Sequence, residues 1–403
     1  MISATRARLY TRLFRRLLAN PRYFYFTLRG NAHGRTAERL ARGDLPANGT
    51  FYPVKLDLRL IYACNLRCKM CAQWGDTGTY FDYDTPKLQR KLDLEVIDSV
   101  VSDLLPHGLR YIDMEGGETF LYPDIIELLR RLKAHGLFVK PVTNGTLLKK
   151  YARDVVETGV DAVNISVDGD REAHNFVRQA EWAYDKTMEG LQALVEERAR
   201  AGKQTPLIKI SFTMTRHNKA ASLRQLCEDL AGKGLIDVLV VKSTPIWVPE
   251  ANGQAYNALI EKHFGVRGAQ SWRGFLDDYS DFGDEANAIA DTLRDLEAKD
   301  YDFFVDRVPS LPLEQLPRAY TDYKWDLGRS HCPIAYVEPT IDSDGNVYPC
   351  NLFTDEPLSM GNVNRTRFLD IWFGERFQEF RRMLANEGGL LPICTRCCQL
   401  AEA

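Results

Sequence analysis

The feature that most restricts this chain is a hydrophobic rhythm running from residue 54 to about residue 245. Short apolar runs at 55–62, 109–114, 137–142, 162–167, 207–214 and 238–241 alternate with stretches of helical period such as 125–134 and 221–233. Six strand-then-helix repeats in one block predict an α/β fold whose parallel sheet is covered by helices and is either open or closed into a barrel. Reactive groups in such folds gather at the carboxyl ends of the strands. No run of about eighteen consecutive apolar residues occurs, which excludes a membrane-spanning helix.

The rest of the chain divides by composition. Residues 1–53 open with Ile2, Leu9, Leu13, Phe14, Leu17 and Leu18 at near-helical spacing, followed by the aromatic run Tyr23-Phe24-Tyr25-Phe26. Residues 1–45 carry ten arginines, no lysine, and only Glu38 and Asp44 as acids. A basic amphipathic helix within residues 2–29 suits an anionic membrane surface, or equally the protein's own body with its arginines solvated. Residues 246–330 are rich in aromatics, and residues 271–307 hold eleven acids against four bases. This segment is expected to be a linker or substrate lid. Its rings and carboxylates suit a cationic or sugar-like ligand, or else the rings form a small core beneath a solvated cover. Residues 331–403 hold five of the nine cysteines.

A formal net charge of −3 argues against general nucleic-acid binding, which needs a basic footprint. With no apolar leader and cleavage site, the expected location is cytoplasmic, with peripheral contact on the inner membrane surface if the basic helix binds lipid. In that compartment nine cysteines point to metal or redox chemistry rather than a disulfide framework.

The most informative of them are Cys64, Cys68 and Cys71, spaced C-x₃-C-x₂-C directly after the first strand. Three thiolates on one tight loop can grip three corners of a cubane iron–sulfur cluster, leaving the fourth iron open. A structural zinc site calls for paired C-x₂-C knuckles and a local fourth ligand, whereas the first histidine after this loop is His107.

This spacing resembles that of the radical S-adenosylmethionine superfamily, and further motifs over 54–245 extend the likeness, each at an expected strand end. Gly116-Gly117-Glu118 follows the second strand, Thr143-Asn144-Gly145 the third, and Ser166 and Asp168 end the fourth. Arg178 lies in His-Asn-Phe-Val-Arg just beyond. The resemblance implies a partial (β/α)6 TIM-like barrel and a [4Fe–4S] cluster held by Cys64, Cys68 and Cys71. It also implies that S-adenosylmethionine is bound by Gly116, Gly117 and Glu118 at its amino group and by Ser166 and Asp168 at the ribose or methionine part. Thr143 and Asn144 join that set, and Arg178 is implied at the methionyl carboxylate, a planar task suited to guanidinium. Met70 departs from the pattern, since the residue before the third cysteine is usually an aromatic beside adenine. A thioether can pack on a purine in its place.

The second cysteine set resembles the SPASM and twitch extensions of the same superfamily. Cys332 precedes the strand–turn–strand Ile341-Asp-Ser-Asp-Gly-Asn-Val-Tyr-Pro-Cys350, and Cys394-Thr-Arg-Cys397-Cys398 lies near the end. A full SPASM extension has seven cysteines; here the resemblance implies one auxiliary [4Fe–4S] cluster on Cys332, Cys350, Cys394 and Cys397. Structural zinc is an alternative for the same four residues. Cys398 is an alternative ligand to Cys397 and, if free, a weak candidate hydrogen-atom donor or a bystander. Cys227, on an amphipathic helix, reads as core.

The implied chemistry is reductive cleavage of S-adenosylmethionine to a 5′-deoxyadenosyl radical, with an electron donor such as flavodoxin or ferredoxin. For the substrate three readings stand: oxidation or epimerisation of a small polar or sugar-like metabolite, modification of a peptide, protein or lipid, and a metal-stabilised scaffold without chemistry. An open iron has no use in the third.

Overall fold

The structure, a computed structural model, describes residues 51–352, 354 and 356–397. All six expected strands are present: β1 (Lys55–Arg59), β2 (Tyr111–Glu115), β3 (Phe138–Thr143), β4 (Ala162–Ser166), β5 (Leu207–Thr213) and β6 (Val238–Lys242). A seventh strand, β7 (Phe304–Val308), continues the parallel pairing beside β6. β7 lies inside the acidic segment, where Asp306 and Arg307 break the apolar run that would have announced it.

On the opposite edge, β8 (Thr340–Ile341) runs parallel to β1, and β9 (Asn346–Tyr348) and β10 (Gly361–Asn362) follow antiparallel. The result is one ten-stranded sheet in the order β10-β9-β8-β1-β2-β3-β4-β5-β6-β7. Its two ends are β7 and β10, so strand pairing leaves the barrel open among the described residues. The turn between β8 and β9 places Gly345 at φ +82°, a left-handed conformation that favours glycine. The cysteine-rich extension is therefore built onto the first barrel strand.

The helices cover one face of this sheet because the strands alternate. In β4, Val163 and Ile165 are fully buried, and in β5 so are Ile208, Ile210 and Phe212. The intervening Asn164, Ser166, Ser211 and Thr213 line the opposite, inner side. The apolar side is covered by α1 (Leu94–Leu104), α2 (Ile125–Ala134), α3 (Leu148–Thr158), α5 (Ala183–Arg200) and α6 (Ala220–Leu230), while α4 (Arg171–Arg178) lies at the carboxyl end of the strands beside the cysteine loop. Two later helices, α7 (Glu250–Phe264) and α8 (Gly283–Ala298), follow before β7, and α9 (Glu375–Asn386) belongs to the extension. One continuous core runs from Leu56 in β1 to Cys397.

The aromatic residues of 246–330 join that core. Trp247, Tyr256, Trp272, Tyr279 and Tyr320 are at most 2% exposed. Trp247 packs on Tyr279 and Tyr323, and Phe282 stacks on Tyr320. Only Ile246, Ser271 and Phe275 of this segment reach the inner cavity described below. Most of these rings thus form core, the packing alternative, instead of a ligand-stacking surface. Residues 2–29 lie outside the described residues. No described helix is long and apolar enough to cross a membrane.

Inside the sheet, charges meet in place of the usual apolar fill. Lys55 of β1 lies 2.9 Å from Asp113 of β2 and 2.7 Å from Glu338, while Lys140 of β3 reaches Asp113 at 3.0 Å. Burial alone would push the Asp113 carboxyl up, but Lys140 and Lys55 outweigh it and hold the pKa at about 2. A depressed carboxyl pKa contributes stability that is complete above its unfolded value and is lost as pH falls through the folded one. Asp113→Asn is therefore expected to cost about 2–3 kcal/mol at pH 7. The gap between wild type and variant in urea unfolding should close as pH is lowered from 4 towards 2.

Candidate active site

Beyond Arg59 the chain turns into the loop that carries Cys64, Cys68 and Cys71, and two neighbours hold this loop by its backbone. From the end of β2, the amide of Gly117 donates to the carbonyl of Ile61 (2.9 Å) and that of Glu118 to the carbonyl of Ala63 (2.8 Å). A Cβ on Gly117 would lie 1.9 Å from the Ala63 carbonyl oxygen, so only glycine allows the approach. From α4, the carbonyl of Val177 accepts from the amide of Lys69 (2.9 Å). Leu66 and Cys68 pack on Ala183 at the start of α5. Arg67 closes the outer side. Its guanidinium lies 3.7 Å over the Trp74 ring and donates to the carbonyls of Cys64 and Leu66.

Glu118 does not point a free carboxylate at a ligand. Its Oε1 accepts from Thr143 Oγ1 (2.6 Å) and the Phe120 amide (3.0 Å), and its Oε2 from the Asn144 amide (2.8 Å). Burial pushes its pKa up against these three donors. Its work is to fix the loop after β3. Asn144 Nδ2 in turn donates to Asn65 Oδ1 (2.8 Å), and Asn65 Nδ2 donates to Thr146 Oγ1 (2.9 Å). The third-strand loop is thereby tied to the cysteine loop through Asn65, which the sequence motifs did not single out.

Asp168 is fully buried, and its Oδ2 lies 2.6 Å from Arg178 Nη2. Arg178 Nη1 lies 3.4 Å from Cys68 Sγ. The Asp168 amide donates to His174 Nδ1 (3.2 Å), and burial lowers the His174 pKa well below its ordinary value, which keeps that nitrogen an acceptor. Asp168 therefore orients Arg178 instead of touching the cavity itself.

One cavity of about 330 Å³ gathers these groups. Cys64, Cys68, Cys71 and Met70 line it, as do Gly116, Gly117 and Glu118. Thr143, Asn144, Ser166 and Arg178 complete the set expected from the motifs, Asp168 excepted. The structure adds the inner-face residues Asn164, Ser211, Thr213 and Lys242, and from the strand ends Arg59 and Glu115. Asn164 Oδ1 is buried with no hydrogen-bond partner among the described residues. The available signal was a polar residue at every second position of otherwise apolar strands. The extension contributes Asn351, Leu352 and Thr354, which nothing local in the sequence marks.

A second, apolar cavity is lined by Cys332, Cys350, Cys394 and Cys397 together with Ile334, Ala335, Leu352 and Phe380 among others. Cys332 is brought there by its amide, which donates to the Gly389 carbonyl (3.0 Å). Burial pushes the Cys332 thiol up to about 11 and Cys394 to about 12. Cys398 lies outside the described residues, and Cys227 is buried on α6 as expected. Leu352 lines both cavities and so belongs to the wall they share.

The donor sets fit iron–sulfur clusters. Three thiols share the wall of a polar cavity with room beside them, and four enclose an apolar one with no other polar side chain. Among the described residues, no three His, Cys, Asp or Glu side chains form the compact group that grips a single metal ion.

Comparison with known proteins agrees. The family model of the radical SAM superfamily matches residues 58–209, and that of an iron–sulfur cluster-binding domain, SPASM, matches 332–398. A tungsten-containing aldehyde ferredoxin oxidoreductase cofactor-modifying protein of Pyrococcus furiosus is 26% identical over 359 residues, covering 85% of this chain and 86% of that protein. A probable GTP 3′,8-cyclase of Methanocella arvoryzae is 29% identical over 184 residues, covering 45% of this chain and 54% of the relative. Among solved structures, Streptococcus suis SuiB bound to its precursor peptide SuiA shares the fold at a TM-score of 0.58 and 15% identity, covering 93% of this chain and 76% of that one. The anSMEcpe structure with bound AdoMet gives 0.53 and 18%, covering 81% and 79%.

The contact at Gly117 supplies a direct test. Gly117→Ala is expected to displace the cysteine loop and lower the iron content of the reconstituted protein from about eight to about four per chain. The C-terminal cysteine cavity, which it does not touch, should keep its share.

Proposed function

Because this chain belongs to the radical SAM superfamily and carries a SPASM iron–sulfur domain, we propose that it oxidises a small, polar, hydroxyl-bearing substrate held between the two cysteine sites. The observation that carries this reading is the shared wall at Leu352, which puts the far end of the reaction cavity against the second cysteine set. An electron removed from a substrate there would leave on the Leu352 side of the cavity.

When loaded, the first centre supplies one-electron cleavage of S-adenosylmethionine and a 5′-deoxyadenosyl radical that takes a hydrogen atom from the substrate. The protein's own part is binding and orientation. Cys64, Cys68 and Cys71 hold that centre. Gly116 and Gly117 let the backbone come close, while Glu118 keeps Thr143 and Asn144 in place. Arg178, steadied by Asp168, is set for a carboxylate. Ser166 and the unpartnered Asn164 Oδ1 offer hydrogen bonds to hydroxyl groups, as do Ser211 and Thr213. Met70 is placed for a purine face. Cys332, Cys350, Cys394 and Cys397 hold the auxiliary cluster.

A second reading is favoured by one specific finding, the likeness to the Pyrococcus cofactor-modifying protein over most of both chains. On it, the same cavity modifies a cofactor or a segment of another protein.

Anaerobic reconstitution tests the premise. The wild type should hold about eight irons and, once reduced, release 5′-deoxyadenosine from S-adenosylmethionine. A Cys64→Ala/Cys68→Ala/Cys71→Ala variant should hold about four and release none. Equal release by both proteins would sink the assignment of the first centre. A carbonyl product formed from a small-molecule fraction, with none from protein fractions, would separate the first reading from the second.

A further inference from the structure

The reaction cavity holds two carboxylates, Glu115 and Glu118. Glu118 is saturated by Thr143, Asn144 and Phe120. Glu115, at the last position of β2, makes no side-chain hydrogen bond among the described residues, is half-buried, lines the cavity and interacts electrostatically with Arg59 and Asp57. It stands in register beside Arg59 on β1. Arg59 Nη2 donates to the Asn351 carbonyl (2.6 Å) and Nη1 to Thr354 Oγ1 (2.9 Å). These residues bracket Leu352, which lines both cavities. A single guanidinium thus anchors the electron-side wall next to the one cavity carboxylate that accepts no side-chain hydrogen bond among the described residues.

We propose that Glu115 is the proton acceptor of the oxidation and that Arg59 is its positioning residue. The inference rests on the oxidative reading above. The balance is complete for a secondary alcohol. The C–H hydrogen atom leaves to the 5′-deoxyadenosyl radical, giving a carbon-centred radical, and the hydroxyl proton passes to a Glu115 oxygen. One electron leaves across Leu352 to the oxidised [4Fe–4S] cluster of the extension, and the C–O bond becomes a carbonyl. Proton and electron depart at one corner of the cavity, so negative charge does not build up on the substrate oxygen. Glu115 suits a neutral or cationic alcohol, since an anionic one would meet a carboxylate.

The test uses reconstituted full-length protein, S-adenosylmethionine, a chemical reductant and the small-molecule fraction of an extract from cells grown in deuterium oxide. Deuterium entering 5′-deoxyadenosine reports hydrogen abstraction whatever the substrate is, and a hydrazine trap followed by mass spectrometry reports the carbonyl. In Glu115→Gln, iron content and S-adenosylmethionine binding should match wild type and deuterium transfer should persist. Carbonyl formation should fall on the order of a hundredfold, the usual contribution of a general base, with partial recovery in Glu115→Asp. Arg59→Lys, which cannot span both extension contacts, should lower the ratio of carbonyl to deuterium transfer. Unchanged carbonyl formation in Glu115→Gln would overturn the proposal. Loss of deuterium transfer with iron and cofactor binding intact would also overturn it, by making Glu115 a substrate-holding group. Deuterium transfer by wild type with no carbonyl from it would instead defeat the oxidative reading, and this inference with it.

Discussion

The arrangement depends on a backbone contact between two strand ends. The amides of Gly117 and Glu118 bind the carbonyls of Ile61 and Ala63, and this seats the cysteine loop against the mouth of the sheet. The contact is possible only because Gly117 has no Cβ. It places the backbone of the second strand's turn beside Cys64, and everything that follows is hung on it. The Glu118 side chain reaches on to Thr143 and Asn144, and Asn144 reaches back to Asn65 within the cysteine loop. Three strand ends are thus joined in a closed hydrogen-bonded circuit whose buried carboxylate is fully satisfied, which is the condition for a polar group to be held without water.

A second structural decision is the union of the extension with the barrel. β8 pairs with β1 and the core is continuous across the junction. The loop after Cys350 therefore lies over the carboxyl end of the first strand, where Arg59 binds it. A separately folded cysteine domain on a linker would be free to move away from the reaction cavity. Sheet continuity removes that freedom and keeps the second cysteine cavity beside the first, with Leu352 in the lining of both.

The lumen of the sheet also differs from an apolar barrel interior. Lys55, Asp113, Lys140 and Glu338 pair with one another within ion-pair distance, so these four charges are turned inward together. This lets the inner face carry hydrogen-bonding groups along its length up to Glu115 and Arg59, at the level of the cavity.

The sequence by itself determined the six strands, the two cysteine sets and the motif residues at the strand ends, because each is written in a local pattern. Apolar runs between stretches of helical period, C-x₃-C-x₂-C spacing and glycine pairs need no knowledge of distant neighbours. It left β7 hidden, since Asp306 and Arg307 obscure a strand whose partner β6 lies more than sixty residues away. It also could not show that Glu118 is committed to a neighbouring loop, that Asp168 acts behind Arg178, or that the aromatic rings of 246–330 fill the core. Nor could it show that Leu352 lines two cavities or that Glu115 lines one of them beside Arg59. Each of these depends on which groups meet across the sheet, and a side chain's partners are set by tertiary packing that no local pattern encodes.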